Sequence, residues 1–435
     1  MAEKYTPCVI IPGIGQSMIE LLDENNNKIK MAWQLQVDTD RIISELKAPL
    51  VKSVLLRRDM GLSDKMYQVV AETADPVATN IDGTMKNNVR VVTYPQSLKD
   101  CTEEERRYIY RMVPVQKLSS IIGEDKMYFF AFNSFGQPYE IAKDLNDFIQ
   151  QVKKEHDCEQ VNIIPISLGG AMSIAYFDAY GHQNDIKRVL YFVGALQGTP
   201  VISDLLDMNI SSDNALSLIE FLFPRKTAEM LGKLLNVLPK NTASKLIDAS
   251  MRSLIDTAIA NCPALWATVP PEKYEALAKK YLSDGKHDAL KAQTDRFYKA
   301  QKALPETVRQ YKEKGVGFFG IVGYNLPLMP ITAPNTLSSD SMIPVVSASL
   351  GAEAAPLGQK LDRTGEYISP DGTIDASKSV LPDTVWYFKD QQHDNTAYND
   401  TALEAAARVL SDDSFTSVYS DPALPRFGVM SDNRK

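Results

Sequence analysis

Short apolar runs, bounded by glycine, proline and Asx-rich turns, alternate along this chain with stretches whose apolar positions recur three and four residues apart. The runs at 5–11, 89–94, 127–132, 161–166, 189–193, 316–323 and 384–388 read as strands. Most are almost wholly apolar, the mark of strands buried on both faces. Between them lie a helical piece at 40–46, a charged helix opening at Thr102 and leading to Ile121, and an amphipathic helix over 139–154 with Ile141, Leu145, Phe148 and Val152 on one face. A further helix follows residue 167, and one over 401–410 closes the pattern before an irregular tail. Strand, helix, strand, helix predicts an α/β fold, a mostly parallel sheet wrapped by helices.

That rhythm stops between 201 and 315, where the sequence is helical in character with almost no strand-like run. Met230, Leu231, Leu234, Leu235, Val237 and Leu238 form one apolar face, and Leu246, Ile247, Met251, Leu254, Ile255 and Ile259 another. A helical block between two sheet units reads as an inserted cap. The domain organisation expected is therefore a core of 1–200 and 316–435, with an irregular insertion at about 38–95, and a helical cap or lid over 201–315. The apolar cap faces have two uses open to them: packing onto the sheet, or lining an acyl pocket and touching a lipid surface. No internal repeat or low-complexity tract is found.

Composition narrows the field. A chain of 435 residues with 44% hydrophobic content can bury a sizeable core. Its formal net charge of −8 gives no electrostatic footprint for nucleic acid, which is excluded as an expected partner. Cys8, Cys101, Cys158 and Cys262 lie far apart without metal-type spacing, so they read as thiols in a reducing compartment, a long-range disulfide being the alternative. No metal and no cofactor is expected. The start, Met1-Ala2-Glu3-Lys4-Tyr5, shows no leader pattern, which places the chain in the cytoplasm as the sequence stands, or outside the cell if a leader has been removed. No stretch is apolar for long enough to span a membrane. Oligomeric state is not legible.

The chemistry concentrates at 162–176, where β-formers run through Pro165 and Ile166 into Ser167, then Leu168, Gly169 and Gly170, then a helical pattern. This is the order of a nucleophile elbow, G-x-S-x-G, with Pro165 in place of the first glycine. An ordinary βα turn with a capping serine is the alternative. An exposed serine hydroxyl needs a base, and the chain holds four histidines. His156, His182 and His287 read as surface residues on or beside helices, whereas His393 lies just past the carboxyl end of a strand, on the sheet edge where Ser167 lies. Asp340, in a loop after another strand, is the best carboxylate to hold the imidazole, with Asp390 and Asp394 as runners-up. The order Ser, Asp, His is that of the α/β-hydrolases. For the oxyanion, one donor is the backbone N–H of Leu168, and the second belongs to the glycine-rich loop Pro12-Gly13-Ile14-Gly15-Gln16-Ser17.

Taken together these residues resemble the α/β-hydrolases related to lecithin:cholesterol acyltransferase and lysosomal phospholipase. Pro12 to Ser17 is similar to that family's oxyanion loop, Ser167-Leu168-Gly169-Gly170 to its elbow, and Gly194 to Pro200 to the segment after its next strand. Cys262-Pro263-Ala264-Leu265-Trp266 followed by Pro270 is similar to a patch in its cap, and Ser339-Asp340 with Ile343-Pro344 and Ser347 to its acid loop. The resemblance implies catalytic roles for Ser167, Asp340 and His393, an oxyanion role for the backbone around Gly15 and Gln16, and substrate contact at Ile14 and Trp266. It implies a serine hydrolase that cleaves carboxylic esters of acyl lipids through an acyl-enzyme, with transient contact to a membrane or micelle surface. Acyl transfer by the same triad, or a degenerate hydrolase fold that only binds, are the alternatives. Departures are Pro165 in the elbow, Ser341 where a glycine usually follows the acid, and Asn133-Ser134-Phe135 where the family commonly has Asp-Trp-Arg.

Overall fold

The structure, a computed structural model, describes residues 5–33, 38–208, 225–329 and 335–429. Seven parallel strands form the central sheet: β1 (Cys8–Ile11), β2 (Met127–Phe129), β3 (Val161–Pro165), β4 (Ile186–Phe192), β5 (Gly317–Tyr324), β6 (Val385–Lys389) and β7 (Phe427–Val429). They lie in the order β7-β6-β5-β4-β3-β1-β2. Because successive side chains point to opposite faces of a strand, each run feeds two cores. Val9, Ile11, Ile163 and Tyr387 go to one side, and Cys8, Ile10, Ile164, Trp386 and Phe388 to the other. Helices cover both faces. Pro138–His156 and Leu168–Tyr180 lie on the first, and Glu103–Met112, Gln116–Ile122 and Asp400–Ser411 on the second. This is a parallel α/β sheet covered by helices on both faces, with a large helical insertion between β4 and β5.

Several local expectations are corrected. The single helix expected from Thr102 to Ile121 is two helices. Thr102 starts the first with a capping box to Glu105, but Pro114 forces Val113 into extended backbone and ends it. The run at 89–94 stays out of the main sheet: Val89–Val91 pairs antiparallel with Ile19–Leu22, which also pairs with Lys28–Trp33. Within the expected tail, Phe427–Val429 adds an edge strand too short to show a period. His156, expected at the surface, is half-buried, its ring within hydrogen-bond distance of the Tyr128 hydroxyl (2.7 Å) and of Lys126 Nζ (2.9 Å). Cys8, Cys101 and Cys262 are buried free thiols.

The expected irregular insertion at 38–95 is the largest correction. It carries helices Thr39–Leu56 and Leu62–Ala74, the first capped by Asp38, whose carboxylate accepts from Arg41 N–H at 3.0 Å. Ile42, Leu46, Leu62, Met66, Val69 and Val70 from this pair meet Leu238 and Leu246 in a third apolar cluster separate from the two sheet cores. The insertion and part of the helical block thus pack as one body. In the block itself, Pro200–Asp207, Arg225–Val237, Lys240–Leu254, Pro271–Tyr281 and Asp288–Glu313 are helical. Met251, Ile255 and Ile259 join the sheet-side core, as their pattern predicts. Residues 209–224 and the side chains of Met230, Leu231 and Leu234 lie outside the described residues.

Candidate active site

Ser167, separated from the end of β3 by Ile166, has φ 51° and ψ −116°, a backbone conformation that a residue bearing a Cβ adopts only when its surroundings hold it. Here they do so on both sides. Its N–H donates to Phe192 O at 3.2 Å, and its carbonyl accepts from Ala195 N at 3.0 Å and Gly170 N at 2.9 Å. Pro165, the departure from the usual glycine, is the last residue of β3. The amides of Asn162 and Ile166 donate toward the β1 side, to Pro7 O and Ile11 O, so the N–H that proline lacks falls on the other edge of the strand. Helix Leu168–Tyr180 begins at the next residue, so the Leu168 amide sits at a helix N-terminus with no intrahelical acceptor.

The structure brings Asp340 and His393 to this serine. His393 Nε2 lies 3.0 Å from Ser167 Oγ, and Nδ1 lies 2.7 Å from Asp340 Oδ2. The main chains are joined as well, His393 N–H donating to Asp340 O at 2.8 Å. Asp340 is 1% exposed, and its second oxygen accepts from the amides of Met342 (2.9 Å) and Ile343 (2.7 Å), so both carboxylate oxygens are engaged. Ser341 holds the positive φ, 83°, that a glycine usually supplies after the acid. At His393 burial works to lower the pKa, but the Asp340 carboxylate, by charge and hydrogen bond, and Asp394, by charge, outweigh it and raise the pKa above the ordinary imidazole value. Of the runners-up, Asp390 accepts instead from Asn325 Nδ2 at 2.6 Å. His287 is within 2.7 Å of Asp284, far from this site in the fold, and His182 is exposed.

Residues that sequence reasoning passes over hold the histidine loop. Gln391 and Asn399 are fully buried and bonded to each other, Asn399 Nδ2 donating to Gln391 Oε1 at 2.9 Å. Asn399 also caps helix Asp400–Ser411 by accepting from Ala402 N–H at 3.1 Å, which ties the loop carrying His393 to that helix. The only sequence signal is an Asn at a helix start, which says nothing of a second bond.

The glycine-rich loop after β1 sits against the serine at Gly13, where an added Cβ would lie 2.9 Å from Ser167 Cβ. Three of its four central amides are already engaged. Gly13 N–H donates to Gln16 Oε1 (2.5 Å), Gly15 N–H to Ser134 Oγ (3.4 Å) and Gln16 N–H to Gly13 O (3.3 Å). The expected oxyanion donors Gly15 and Gln16 are thus turned to bonds inside the protein. Among the described residues, the Ile14 amide is given no acceptor. Gln16 acts through its side chain, whose Nε2 also donates to Met112 O at 2.7 Å and ties the loop to the end of helix Glu103–Met112.

A cleft of ≈ 860 Å³ opens beside His393. Ile14, Ile166, Phe192 and Val193 are among its apolar lining residues, and the 110–120 and 394–403 segments line it with Arg111, Lys117, Asp394 and Asp400. Ile14 therefore lies where substrate contact is expected. Trp266 does not: it is 3% exposed in the sheet-side core, its ring meets Tyr274 edge-on at 5.9 Å, and its Nε1–H donates to Ala260 O at 2.8 Å. Its cap patch acts as a joint, Thr268 O accepting from Thr199 N–H at 2.8 Å while Thr199 Oγ1 donates to Met342 O at 2.5 Å in the acid loop.

Neither a protein-family model nor a curated protein matches the chain. Among solved structures it is similar to a chain in the crystal structure of the Tle4-Tli4 complex. That likeness has a TM-score of 0.42 and 10% sequence identity, over 93% of this chain and 97% of the other. Among the described residues, no helix is long and apolar enough to cross a membrane, and no group of three or more His, Cys, Asp or Glu is placed to hold a metal ion.

Proposed function

We propose that this chain is a serine hydrolase that cleaves carboxylic esters of acyl lipids, as the resemblance to the lecithin:cholesterol acyltransferase and lysosomal phospholipase group implies. The observation that carries the reading is the unbroken line from Ser167 Oγ to His393 at 3.0 Å and on to buried Asp340 at 2.7 Å. In this reading His393 Nε2 takes the Ser167 proton as Oγ attacks the ester carbonyl, and Asp340 holds the ring in the tautomer that makes this transfer useful. The oxyanion is received by the amides of Leu168 and Ile14, each worth about 3 to 4 kcal/mol in the transition state. His393 then hands its proton to the departing alcohol, and water repeats the sequence on the acyl-enzyme. The apolar side chains in the lining of the cleft, Ile14 among them, support an acyl substrate. Residues 201–315, together with the helices of 39–74, form the cap of this enzyme.

Labelling by a fluorophosphonate, combined with a panel of esters of increasing acyl length, tests the proposal. The wild-type chain is expected to label and the Ser167→Ala variant not to. Turnover in that variant comparable to wild type, or a wild-type chain that never labels, overturns it.

A further inference from the structure

Helix Thr39–Leu56 is apolar on two sides. Its inner side, Ile42 and Leu46, is covered by the third cluster. Its outer side is not: Ile43 is 42% exposed, Val51 49%, Leu55 74% and Leu56 54%. Ile43, Lys47, Val51 and Leu55 recur every four residues and make one stripe, with Ala48, Lys52 and Leu56 beside it. Arg57 and Arg58 follow at the helix end, so four exposed cations surround the apolar stripe in a chain whose net charge is −8. Of the acids nearby, Asp40 is exposed in the first turn of the helix, whereas the two closer to the cations are engaged. Glu45 is held between Arg41 (2.7 Å) and Lys65 (2.9 Å), and Asp59 accepts from the Leu62 amide (2.8 Å) at the start of the next helix. Among the described residues, Lys47, Lys52, Arg57 and Arg58 form no ion pair.

Exposed leucines ringed by unpaired lysines and arginines fit one kind of surface, an anionic lipid interface, where the apolar side chains enter the acyl boundary and the cations reach phosphate. We propose that this outer face docks the protein on anionic membranes. The placement also serves the site, because Trp33, on the strand that leads to this helix, packs its indole against Gly15 of the loop beside Ser167. The inference rests on the lipid-ester reading for its purpose alone; docking itself needs no catalysis.

The test is sedimentation of the full-length Ser167→Ala chain with vesicles of phosphatidylcholine, alone or with phosphatidylglycerol as about a quarter of the lipid. Binding is expected on the anionic vesicles, weakening as salt rises. Leu55→Glu/Leu56→Glu is expected to bind at least about tenfold less, and Lys52→Gln/Arg57→Gln to lose roughly fivefold per cation removed. No binding to either vesicle, or equal binding by all variants, overturns the proposal. So does a dimer in analytical ultracentrifugation that Leu55→Glu/Leu56→Glu abolishes, since a second copy would then cover the face. In the Ser167 background both surface variants are expected to keep wild-type turnover of a soluble short-chain ester, which shows that they fold. Loss of turnover in every chain with vesicle binding intact would instead sink the hydrolase reading and leave the docking face standing.

Discussion

At the scale of single residues the site depends on one proton position. His393 must be neutral to accept the Ser167 proton, and its pKa is raised because Asp340 outweighs burial. Activity on a soluble ester should therefore fall as pH drops through a value above the ordinary imidazole pKa of about 6.5. Asp340→Asn removes the charge that raises it. Its kcat should fall by about 10⁴-fold, as when a triad acid is neutralised, and the residual acid limb should move to lower pH. A residual activity whose limb stays in place would show that Asp340 does not set the titration. Gln16 gives a second residue-scale expectation. Gln16→Leu loses the bonds to Gly13 N–H and to Met112 O, so the loop beside Ser167 loosens and kcat should drop by up to about 10²-fold with the fold intact by circular dichroism. The sequence draws attention to Gln16 through its place in a glycine-rich loop but assigns its amide. In the structure its side chain holds the loop, bonded to Gly13 N–H and Met112 O, while a turn that bends at Gly13 directs the Gln16 amide back onto the loop.

Elements are legible where burial is symmetrical. Strands buried on both faces leave runs such as Cys8 to Ile11 and Met127 to Phe129 with no polar interruption, and six of the seven runs take their places in the sheet. Helices with apolar residues on both sides blur the period that reveals a helix, and Thr39–Leu56 adds Pro49 inside. That is why the stretch reads as irregular. The joints between elements are legible only in part, since a sequence does not show what a glycine lies against. Gly323, at the end of β5, is such a joint. A Cβ there would stand 2.3 Å from Gln391 O and 2.8 Å from Asp340 Cβ, so this glycine lets the acid loop and the histidine loop approach each other. Gly323→Ala should force the two loops apart. A destabilisation of about 1 to 3 kcal/mol is expected by denaturant titration, together with a loss of kcat larger than that stability change explains at assay temperature. An active variant with a lowered melting temperature alone would mean that the loops adjust without disturbing the His393 to Asp340 bond.

For the whole molecule the open matter is which part selects the acyl chain. The sequence directs attention to the block at 201–315, because a large apolar insertion beside a serine elbow invites the reading of a lid. In the structure that block spends most of its described apolar side chains on packing, Met251, Ile255, Ile259 and Trp266 against the sheet-side core and Leu246 against the helices of 39–74. The cleft beside His393 is lined instead by the 110–120 and 394–403 segments, with Ile14 and Val193. Two variants separate these possibilities. Ile14→Trp enlarges a residue that lines the cleft and is 38% exposed, while leaving the Ile14 amide in place. It should shift the ester panel toward shorter acyl groups, with discrimination of about tenfold or more against the longest. Trp266→Phe leaves Ala260 O without its donor, so it should cost about 1 to 3 kcal/mol of stability and leave the chain-length profile where it was. The reverse pattern, a profile moved by Trp266→Phe and untouched by Ile14→Trp, would return chain selection to the cap and require the acyl group to leave Ser167 by a route other than the cleft.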